Sequence, residues 1–511
     1  MIVVYHSGSK ISAIITADNQ SIAFNSNGTI ANGLSVLAQQ FPDATIVWCN
    51  IALKENLNLD AIPLLLHHNK MMLSYSSQSY IGNEIGYVEE SLFANSNKKV
   101  SFATWQMCCE VGAIHATVIN AIKDKILPGQ DFDYYLNSVA KLSMPYGLLC
   151  YSEPALLKNQ QIFSKNSASI YTLFRFVKQH YKTRWLFLLF FNMLIYDLKF
   201  PLFPMIFSFF YKKRNSRRIN LDHIAIKSSK TVIDKKTVDV IIPTIGREDY
   251  LYVVLKDFAV QTHLPEKIII VEQNPDPLSK SNLEYIYNEK WPFKIQHFFI
   301  HQAGACNARN LALSQVESEW VFLADDDIKL ANDFLNNALE TIIDFGTNMA
   351  TLSCLQKGEN HIYKNVMQWG SFGSGCSLVK AAILQNTKFN MGFEFGYGED
   401  NDFGMQLRHQ GHDVLYLPHP EILHLKAPIG GFRTKPQLLW RDDKVQPKPS
   451  PTVMLYILSN NTKQQLLGYK TTLFLKYYKH QKIKNPLSYL LYFQKQWKQS
   501  VFWANQLKAK S

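Results

Sequence analysis

The segment EWVFLADDD at residues 319–327 decides the fold of this chain, because five apolar residues run directly into three aspartates. Two earlier apolar runs also end in polar residues, VDVIIPT at 238–244 and KIIIVEQN at 267–274. Strands buried on both faces have this pattern when their carboxyl ends open onto a ligand crevice. Longer amphipathic stretches alternate with these runs from 237 to 425. The pattern therefore predicts an α/β domain with a mostly parallel sheet.

The three aspartates at the end of this strand predict a cation site. A transferase that releases a diphosphate commonly holds it on a divalent cation, which carboxylates grip at a strand end. We interpret Asp327 as the metal ligand and Asp325 as a contact to a ribose or to the water shell of the metal. The competing interpretation is a solvated acidic turn that caps the helix beginning near Asn332.

Polar residues at the ends of the neighbouring strands predict a nucleotide site in the same crevice. The motif IPTIGRED predicts a tight turn at which Arg247 and backbone N–H groups approach a nucleotide. Glu272 ends the next strand, in position to bond a base edge, and GACNARNLAL (304–313) brings Arg309 into the crevice. A surface position for Arg309 is the alternative. The predicted nucleotide-sugar site comprises Pro243, Thr244, Arg247, Glu272, Arg309, Asp325 and Asp326.

Six motifs occur in an order that resembles a known family. They are IPTIGR, IIIVEQN, GACNARNLAL, FLADDD, GSGCSLV and GYGEDNDFGMQLRHQG. Over residues 236–430 the chain resembles the family 2 glycosyltransferases of the GT-A fold. The resemblance implies inverting transfer of a sugar from a nucleoside-diphosphate sugar to a hydroxyl of a glycan or of a lipid-linked acceptor. It also implies a divalent metal cofactor, Mn²⁺ or Mg²⁺.

The resemblance also implies roles for residues beyond the aspartates. Asp400 in GEDND matches the family's general base, and Glu399 matches a contact to the acceptor hydroxyl. Which of the two is the base stays open. His424 matches a histidine that closes the metal site in many members, and imidazole is a competent ligand for manganese. The segment 370–379, which includes Gly375, matches a wall of the donor and acceptor cleft. From its own chemistry, Trp369 just ahead of this segment is interpreted as stacking on a sugar ring through its apolar face, with core packing as an equal alternative.

The first half of the chain, residues 1–158, reads as a smaller, degenerate GT-A-like α/β domain. TIVWCNIAL (45–53) parallels VFLADDDIKL (321–330), and no acid cluster remains. The predicted matches are Trp48, Cys49 and Asn50 for the three aspartates, Asp131 for Asp400, and Lys158 for His424. A metal site would not survive these changes, so we predict a non-catalytic copy. The alternatives are an unrelated α/β domain and an altered but active site.

An apolar and basic helical linker is predicted at 159–235, where the segment from Trp185 to Arg218 is rich in Phe and ends in cations. A spanning helix needs about 20 consecutive apolar residues, and this run is interrupted by Asp197, Lys199, Pro201 and Pro204. We therefore predict interfacial helices with aromatic rings in the acyl boundary and cations on anionic headgroups. An interdomain core and a true span are the alternatives. A basic, aromatic helical tail, 431–511, is predicted to share this surface.

The charge and the cysteines restrict the compartment and the partners. The formal net charge is +12, but the cations cluster beside apolar runs, which favours lipid over nucleic acid. Seven cysteines without a CxxC pair or zinc spacing fit a reducing cytosol, and MIVVYHSGSK reads as a first strand rather than a secretory leader. We predict a cytoplasmic glycosyltransferase of cell-surface polysaccharide synthesis, peripheral to the inner face of the membrane. The alternative is a non-catalytic scaffold that binds carbohydrate or nucleotide.

Overall fold

In a computed structural model, the chain divides into two compact units. The first unit comprises Met1–Lys230 and Asn461–His480, and the second comprises Thr231–Asn460 and Gln481–Ser511. The structure describes residues 1–8, 10–18, 20–23, 28–159, 167–214, 219–427 and 438–509. Arg217 and Arg218, at the end of the predicted interfacial segment, lie outside the described residues, as does the predicted domain boundary at 430.

Strands and helices alternate through most of the chain. The strands are β1 Ile2–His6, β2 Ile11–Thr16, β3 Thr45–Asn50, β4 Met71–Tyr75, β5 Phe102–Ala103, β6 Val111–His115, β7 Leu149–Ser152, β8 Val238–Thr244, β9 Lys267–Gln273, β10 Lys294–Ile300, β11 Trp320–Ala324, β12 Ile328–Lys329, β13 Met349–Gln356, β14 Met367–Gln368, β15 Cys376–Lys380 and β16 Leu415–His424. The helices are α1 Ile30–Gln40, α2 Ile62–Leu65, α3 Ala116–Ile122, α4 Phe132–Ser143, α5 Ile170–His180, α6 Arg184–Tyr196, α7 Leu202–Ser208, α8 Glu248–Ala259, α9 Tyr285–Asn288, α10 Ala305–Leu313, α11 Phe334–Phe345, α12 Glu399–His409, α13 Pro451–Asn460, α14 Lys463–Tyr478 and α15 Pro486–Lys508.

The second unit is built on a sheet in the order β10-β9-β8-β11-β15-β13-β16-β12. The neighbours β10, β9, β8 and β11 run parallel, as the sequence predicts, and β15 is antiparallel to both β11 and β13. Side chains on both faces of β9 and β11 are buried, because helices cover both faces of a parallel sheet. The carboxyl ends of β8, β9 and β11 therefore meet at one edge, where their polar residues converge.

The first unit has its own sheet, in the order β2-β1-β3-β6-β4-β7-β5. Its pairings run parallel, antiparallel, antiparallel and parallel from β1 through β3, β6 and β4 to β7. The second unit shows the same succession from β8 through β11, β15 and β13 to β16. The prediction of an α/β region before the catalytic domain is thus confirmed. That the first unit is a non-catalytic copy stays a prediction.

The hydrogen bonds correct the predicted matches between the two halves. The Asp325 N–H donates to the Gly375 carbonyl at 3.3 Å, and the Asn50 N–H donates to the Glu110 carbonyl at 2.7 Å. Asn50 therefore matches Asp325, whereas Trp48 and Cys49 lie fully buried within β3 and not at its end. A shift of one or two residues along a strand changes which side chains reach its end.

Two further matches change for the same kind of reason. Asp131 caps the amino terminus of α4, where it accepts a hydrogen bond from the Tyr134 N–H at 2.9 Å. Asp133 instead matches Asp400, since each lies two residues after its helix cap and accepts a hydrogen bond from the segment ahead of the paired strand. Near the end of each sheet, Leu57 pairs with Leu157 as Ile328 pairs with His424, so the match to His424 is Leu157 and not Lys158.

The predicted linker and tail are distributed over the two units. Helices α5, α6 and α7 belong to the first unit, and buried residues of α5 and α6 join its core. Of the tail helices, α14 packs in the first unit, whereas α13 and α15 pack against each other in the second. Within the described ranges, every helix is too short or too polar to cross a bilayer.

Candidate active site

A cleft of about 460 Å³ opens at the carboxyl edge of the second sheet. It brings together residues from β8, α10, β11, α12 and β16 that the sequence analysis had singled out separately. The predicted site residues that line it are Pro243, Thr244, Arg247, Arg309, Asp325, Asp326, Asp327, Glu399 and His424. The convergence follows from the parallel strands, which deliver their loop residues to one edge of the sheet.

Asp326 is the buried member of the three aspartates. Its carboxylate accepts a hydrogen bond from the Thr244 hydroxyl at 2.7 Å and one from the Arg247 guanidinium at 2.6 Å. Burial raises the pKa of Asp326 to about 6, although Arg247 and Thr244 act in the opposite direction. These contacts hold the turn after β8 against the end of β11. Asp326 therefore positions Arg247 in the cleft.

Asp327 and His424 form a pair across the end of the sheet. The His424 Nε2 lies 3.3 Å from Asp327 Oδ1, and the other carboxylate oxygen accepts the Ala427 N–H at 3.0 Å. Arg247 also reaches this second oxygen, at 2.7 Å. Burial raises the pKa of Asp327. The His424 hydrogen bond and the Arg247 charge lower it by a larger amount, so the net shift is downward. The same hydrogen bond raises the pKa of His424.

The donor set around Asp327 fits a divalent cation of the Mg²⁺ or Mn²⁺ type. Carboxylate oxygen and imidazole nitrogen are suitable ligands, and Asp327 and His424 present one of each toward the cleft. Over the described ranges, three or more such side chains do not gather into a complete cage. Magnesium is usually bound through one or two protein carboxylates, with phosphate oxygens and waters completing its shell. The pair Asp327 and His424 is therefore compatible with a cation whose remaining ligands would be phosphate oxygens and waters.

Asp325 is the most accessible of the three acids, with 39% of its side chain exposed. The Arg309 guanidinium lies 3.3 Å from its Oδ1. Gly375 leaves the space in which this carboxylate sits, because a Cβ at 375 would lie 2.5 Å from Asp325 Oδ1 and closer still to Oδ2. Gly375 thus acts on the cleft through Asp325.

Glu399 and Asp400 open the helix α12 beside the acids. Burial raises the pKa of both carboxyl groups. The charge of Arg309 acts in the opposite direction, but the net shift of each pKa is upward. Glu399 lines the cleft. Asp400 does not line the cleft; it accepts hydrogen bonds from Ser374, and its Oδ1 is buried with no hydrogen-bond partner among the described residues. A buried carboxylate oxygen with an open acceptor position is suited to take a proton from a bound hydroxyl.

Four predicted site residues do not line this cleft: Asp400 and Gly375, which act beside it through Ser374 and Asp325, and Glu272 and Trp369, which lie elsewhere. Glu272 is buried, and its carboxylate is held by His297 at 2.9 Å and by the Ser281 hydroxyl at 2.5 Å. The next residue, Gln273, lines the cleft instead. Trp369 lines a separate cavity of about 680 Å³, where its ring stacks on Tyr416 with centroids 4.7 Å apart.

Glu394 is a cleft residue that the sequence analysis missed. Its two carboxylate oxygens accept the N–H groups of Cys306 and Asn307, at 3.0 and 2.8 Å, and so satisfy the amino terminus of α10. Gly304 permits this approach, since its φ of 150° and its lack of a Cβ leave room for the carboxylate. These contacts join segments far apart in sequence, so no local pattern signals them. Glu394 positions the helix that carries Arg309.

Residues 239–398 match the model of the family described as "Glycosyl transferase family 2". The second half of the chain is therefore a glycosyltransferase domain of the GT-A fold. Its family is glycosyltransferase family 2, as the six motifs predicted. The match covers less than half of the chain, so it identifies this domain and not the first unit. The predicted enzyme class is confirmed with it.

Comparison with other proteins gives little beyond this family. No curated protein matches the chain. The crystal structure of S. aureus TarS 1–349 in complex with UDP-GlcNAc has 19% identity and a TM-score of 0.36, with 52% of this chain and 79% of that chain covered. TarS 1–349 with UDP has 18% identity and a TM-score of 0.32, covering 38% of this chain and 61% of that one. The chain spans 60% of the length of TarS 1–349 alone. Similarity this low supports no inference about substrate.

Proposed function

We propose that the second unit transfers a sugar from a nucleoside-diphosphate sugar to a hydroxyl group of a glycan or lipid-linked acceptor. Transfer is metal-dependent and inverting, and it serves cell-surface polysaccharide synthesis. The enzyme works in the cytoplasm at the inner face of the membrane, with a peripheral contact through 185–218. The observation that carries the proposal is that one cleft is lined both by the proposed cation-binding pair, Asp327 and His424, and by Glu399, the residue directly before Asp400.

The donor end of the cleft is suited to a diphosphate. A divalent cation bound by Asp327 and His424 would neutralise charge on the leaving diphosphate. Arg247 holds its guanidinium at this end, because Asp326 and Asp327 fix it at 2.6 and 2.7 Å. Asp325 extends from the same strand end with its side chain partly exposed, and it is assigned to the ribose or to the metal's water shell. Fixed charges of this kind need no reorganisation as negative charge develops on the leaving group.

The acceptor end is suited to proton removal. In an inverting transfer, the acceptor oxygen forms its bond to the sugar as the bond to the diphosphate breaks on the opposite face. Asp400 is the proposed base, and its Oδ1 takes the hydroxyl proton. Glu399, which lines the cleft, is proposed to bind and orient the acceptor hydroxyl. Arg309 stabilises the ionised form of both carboxylates and so opposes the rise in their pKa that burial causes.

The test begins with a panel of nucleoside-diphosphate sugars. Binding should raise the apparent melting temperature for the true donor, more strongly with Mn²⁺ than with a chelator. Release of nucleoside diphosphate should then require the metal. Asp327→Ala should lose this metal-dependent gain in stability as well as turnover. Normal turnover in that variant would refute the metal assignment.

A second pair of variants separates the base from the acceptor contact. Asp400→Asn should lose kcat, whereas Glu399→Gln should mainly raise the KM for the acceptor. The reverse result would make Glu399 the base. Donor binding without turnover under every condition would favour a non-catalytic scaffold instead.

A further inference from the structure

The first unit exposes a large apolar face on α6, on α7 and on Phe210, two residues after the end of α7. The face is defined by Phe187, Phe191 and Ile195 on α6 and by Phe203, Phe207 and Phe210 on or after α7. Between 45% and 79% of each of these side chains is exposed. Single exposed apolar residues are ordinary, but a contiguous aromatic face of this kind marks an interaction site. We call it the phenylalanine face.

Helix α6 is apolar on both sides, which is unusual for a helix at the surface. Leu186, Leu189 and Met193 are buried in the core of the first unit. Phe187, Phe191 and Ile195, spaced four residues apart, form the opposite stripe. A helix that faces water on one side carries polar residues there. Burial in the core explains only half of the apolar residues of α6, so the exposed stripe requires a second partner.

Cations lie close to the phenylalanine face in the sequence. The segment 182–214 contains six Lys or Arg residues and one carboxylate, Asp197. Asp197 accepts a hydrogen bond from the Tyr87 hydroxyl at 2.8 Å and so is directed to the protein. Lys182, Lys212 and Lys213 are exposed. Lys199 pairs with Glu84 at 3.4 Å, so these three exposed lysines supply the positive charge beside the apolar face.

We infer that the phenylalanine face docks on an anionic lipid leaflet, with the aromatic rings in the acyl boundary and the lysines on the headgroups. Apolar contact and attraction to anionic lipid together give stable peripheral binding, which neither supplies as well alone. A second copy of the chain fits less well, because a two-fold contact would bring the exposed lysines of both copies together. The inference specifies the membrane contact of the proposed function but does not depend on sugar transfer.

Vesicle co-sedimentation of the full chain tests the inference. The chain should pellet with phosphatidylcholine vesicles that contain about 30% phosphatidylglycerol, and much less with phosphatidylcholine alone. The double substitution Phe203→Ser and Phe210→Ser should weaken binding about tenfold or more. The matched control is Leu64→Ser with Leu127→Ser, whose side chains are 77% and 69% exposed in the same unit. The control should bind as the unsubstituted chain does.

The exposed lysines have their own variants. Lys212→Glu with Lys213→Glu should abolish the preference for phosphatidylglycerol and the weakening of binding by salt. The control is Lys10→Glu with Lys125→Glu, at exposed positions of the same unit. Equal melting temperatures would show that all variants fold.

Two results would overturn the inference. One is a vesicle result: either the chain does not pellet with anionic vesicles, or the variant with Phe203→Ser and Phe210→Ser pellets as strongly as the unsubstituted chain. The other is a lipid-free dimer that the phenylalanine variant dissociates while vesicle binding is missing, which would assign the face to a second copy. Loss of glycosyl transfer leaves the vesicle assay unaffected, so failure of the proposed function is distinguishable from failure of this inference.

Discussion

Replacing Gly375 with alanine should inactivate the catalytic unit without unfolding it. A Cβ at 375 would lie 2.5 Å from Asp325 Oδ1, whereas ordinary contacts begin at 3.4 Å. Because Oδ2 would lie closer still, the carboxylate must move by more than about 1 Å or rotate out of contact with Arg309. Because 39% of the Asp325 side chain is exposed, it can do so into solvent at little cost in stability. A misplacement of about 1 Å in a positioned group can cost about 100-fold in rate.

The assay is metal-dependent release of nucleoside diphosphate, with the melting temperature measured alongside. Gly370→Ala is the matched control, since a Cβ at 370 meets nothing within 4 Å. We expect Gly375→Ala to lose about 100-fold in kcat/KM at a nearly unchanged melting temperature, while Gly370→Ala keeps its activity. Activity of Gly375→Ala within about threefold of the control would refute the role given to Asp325.

Three further predictions follow from the charges. Arg309→Ala should move the acid limb of the kcat/KM profile to higher pH, because Arg309 lowers the pKa of Asp400, which burial raises; an unmoved limb would contradict this. In the first unit, burial raises the pKa of Asp133 from 3.8 to about 6, so the folded state binds this proton more tightly and stability falls as pH rises across that range. Asp133→Asn should remove about 3 kcal/mol of this pH dependence of the free energy of unfolding. Urea unfolding at pH 4 and 7 measures it, and an equal change with pH in the variant and the unsubstituted chain would count against the prediction. Glu394→Gln should destabilise the second unit by about 1 kcal/mol, because a charged partner of the α10 amino terminus is lost; thermal unfolding at low and high salt tests this.

Local patterns predicted the parallel strands and the acids at their ends. The runs at 238–244, 267–273 and 320–324 are strands within one residue of the prediction, because uninterrupted apolar runs of this length are buried from both sides. Parallel strands bring their carboxyl ends to one edge, which is why Arg247 and His424 meet Asp327 although they are far apart in sequence. Pattern and topology together were sufficient for this part of the cleft.

What the sequence did not reveal depends on register and on contacts distant in sequence. The match of Asp131 to Asp400 failed because a helix begins where a side chain caps it, and Asp131 is that cap. Glu272 and Gln273 are consecutive, but side chains alternate along a strand, so only Gln273 lines the cleft. The hydrogen bond between Glu394 and the amino terminus of α10 connects residues that are 88 positions apart, so no local pattern in the sequence predicts it.

The first unit shows a physical reason for the prediction of one catalytic centre per chain. Glu110 stands where the second unit has Gly375, and its carboxylate accepts a hydrogen bond from the Asn50 amide at 3.0 Å. In the first unit the carboxylate therefore belongs to Glu110, at the position of Gly375, and an amide, Asn50, stands at the strand end where the second unit has Asp325. Phe132 precedes Asp133 as Glu399 precedes Asp400, and its ring packs edge-on against Trp48, with centroids 5.9 Å apart. Glu110 and Phe132 thus occupy the positions at which the second unit has Gly375 and Glu399. We therefore predict that any residual turnover in Asp400→Asn chains comes from Glu399 and not from the first unit.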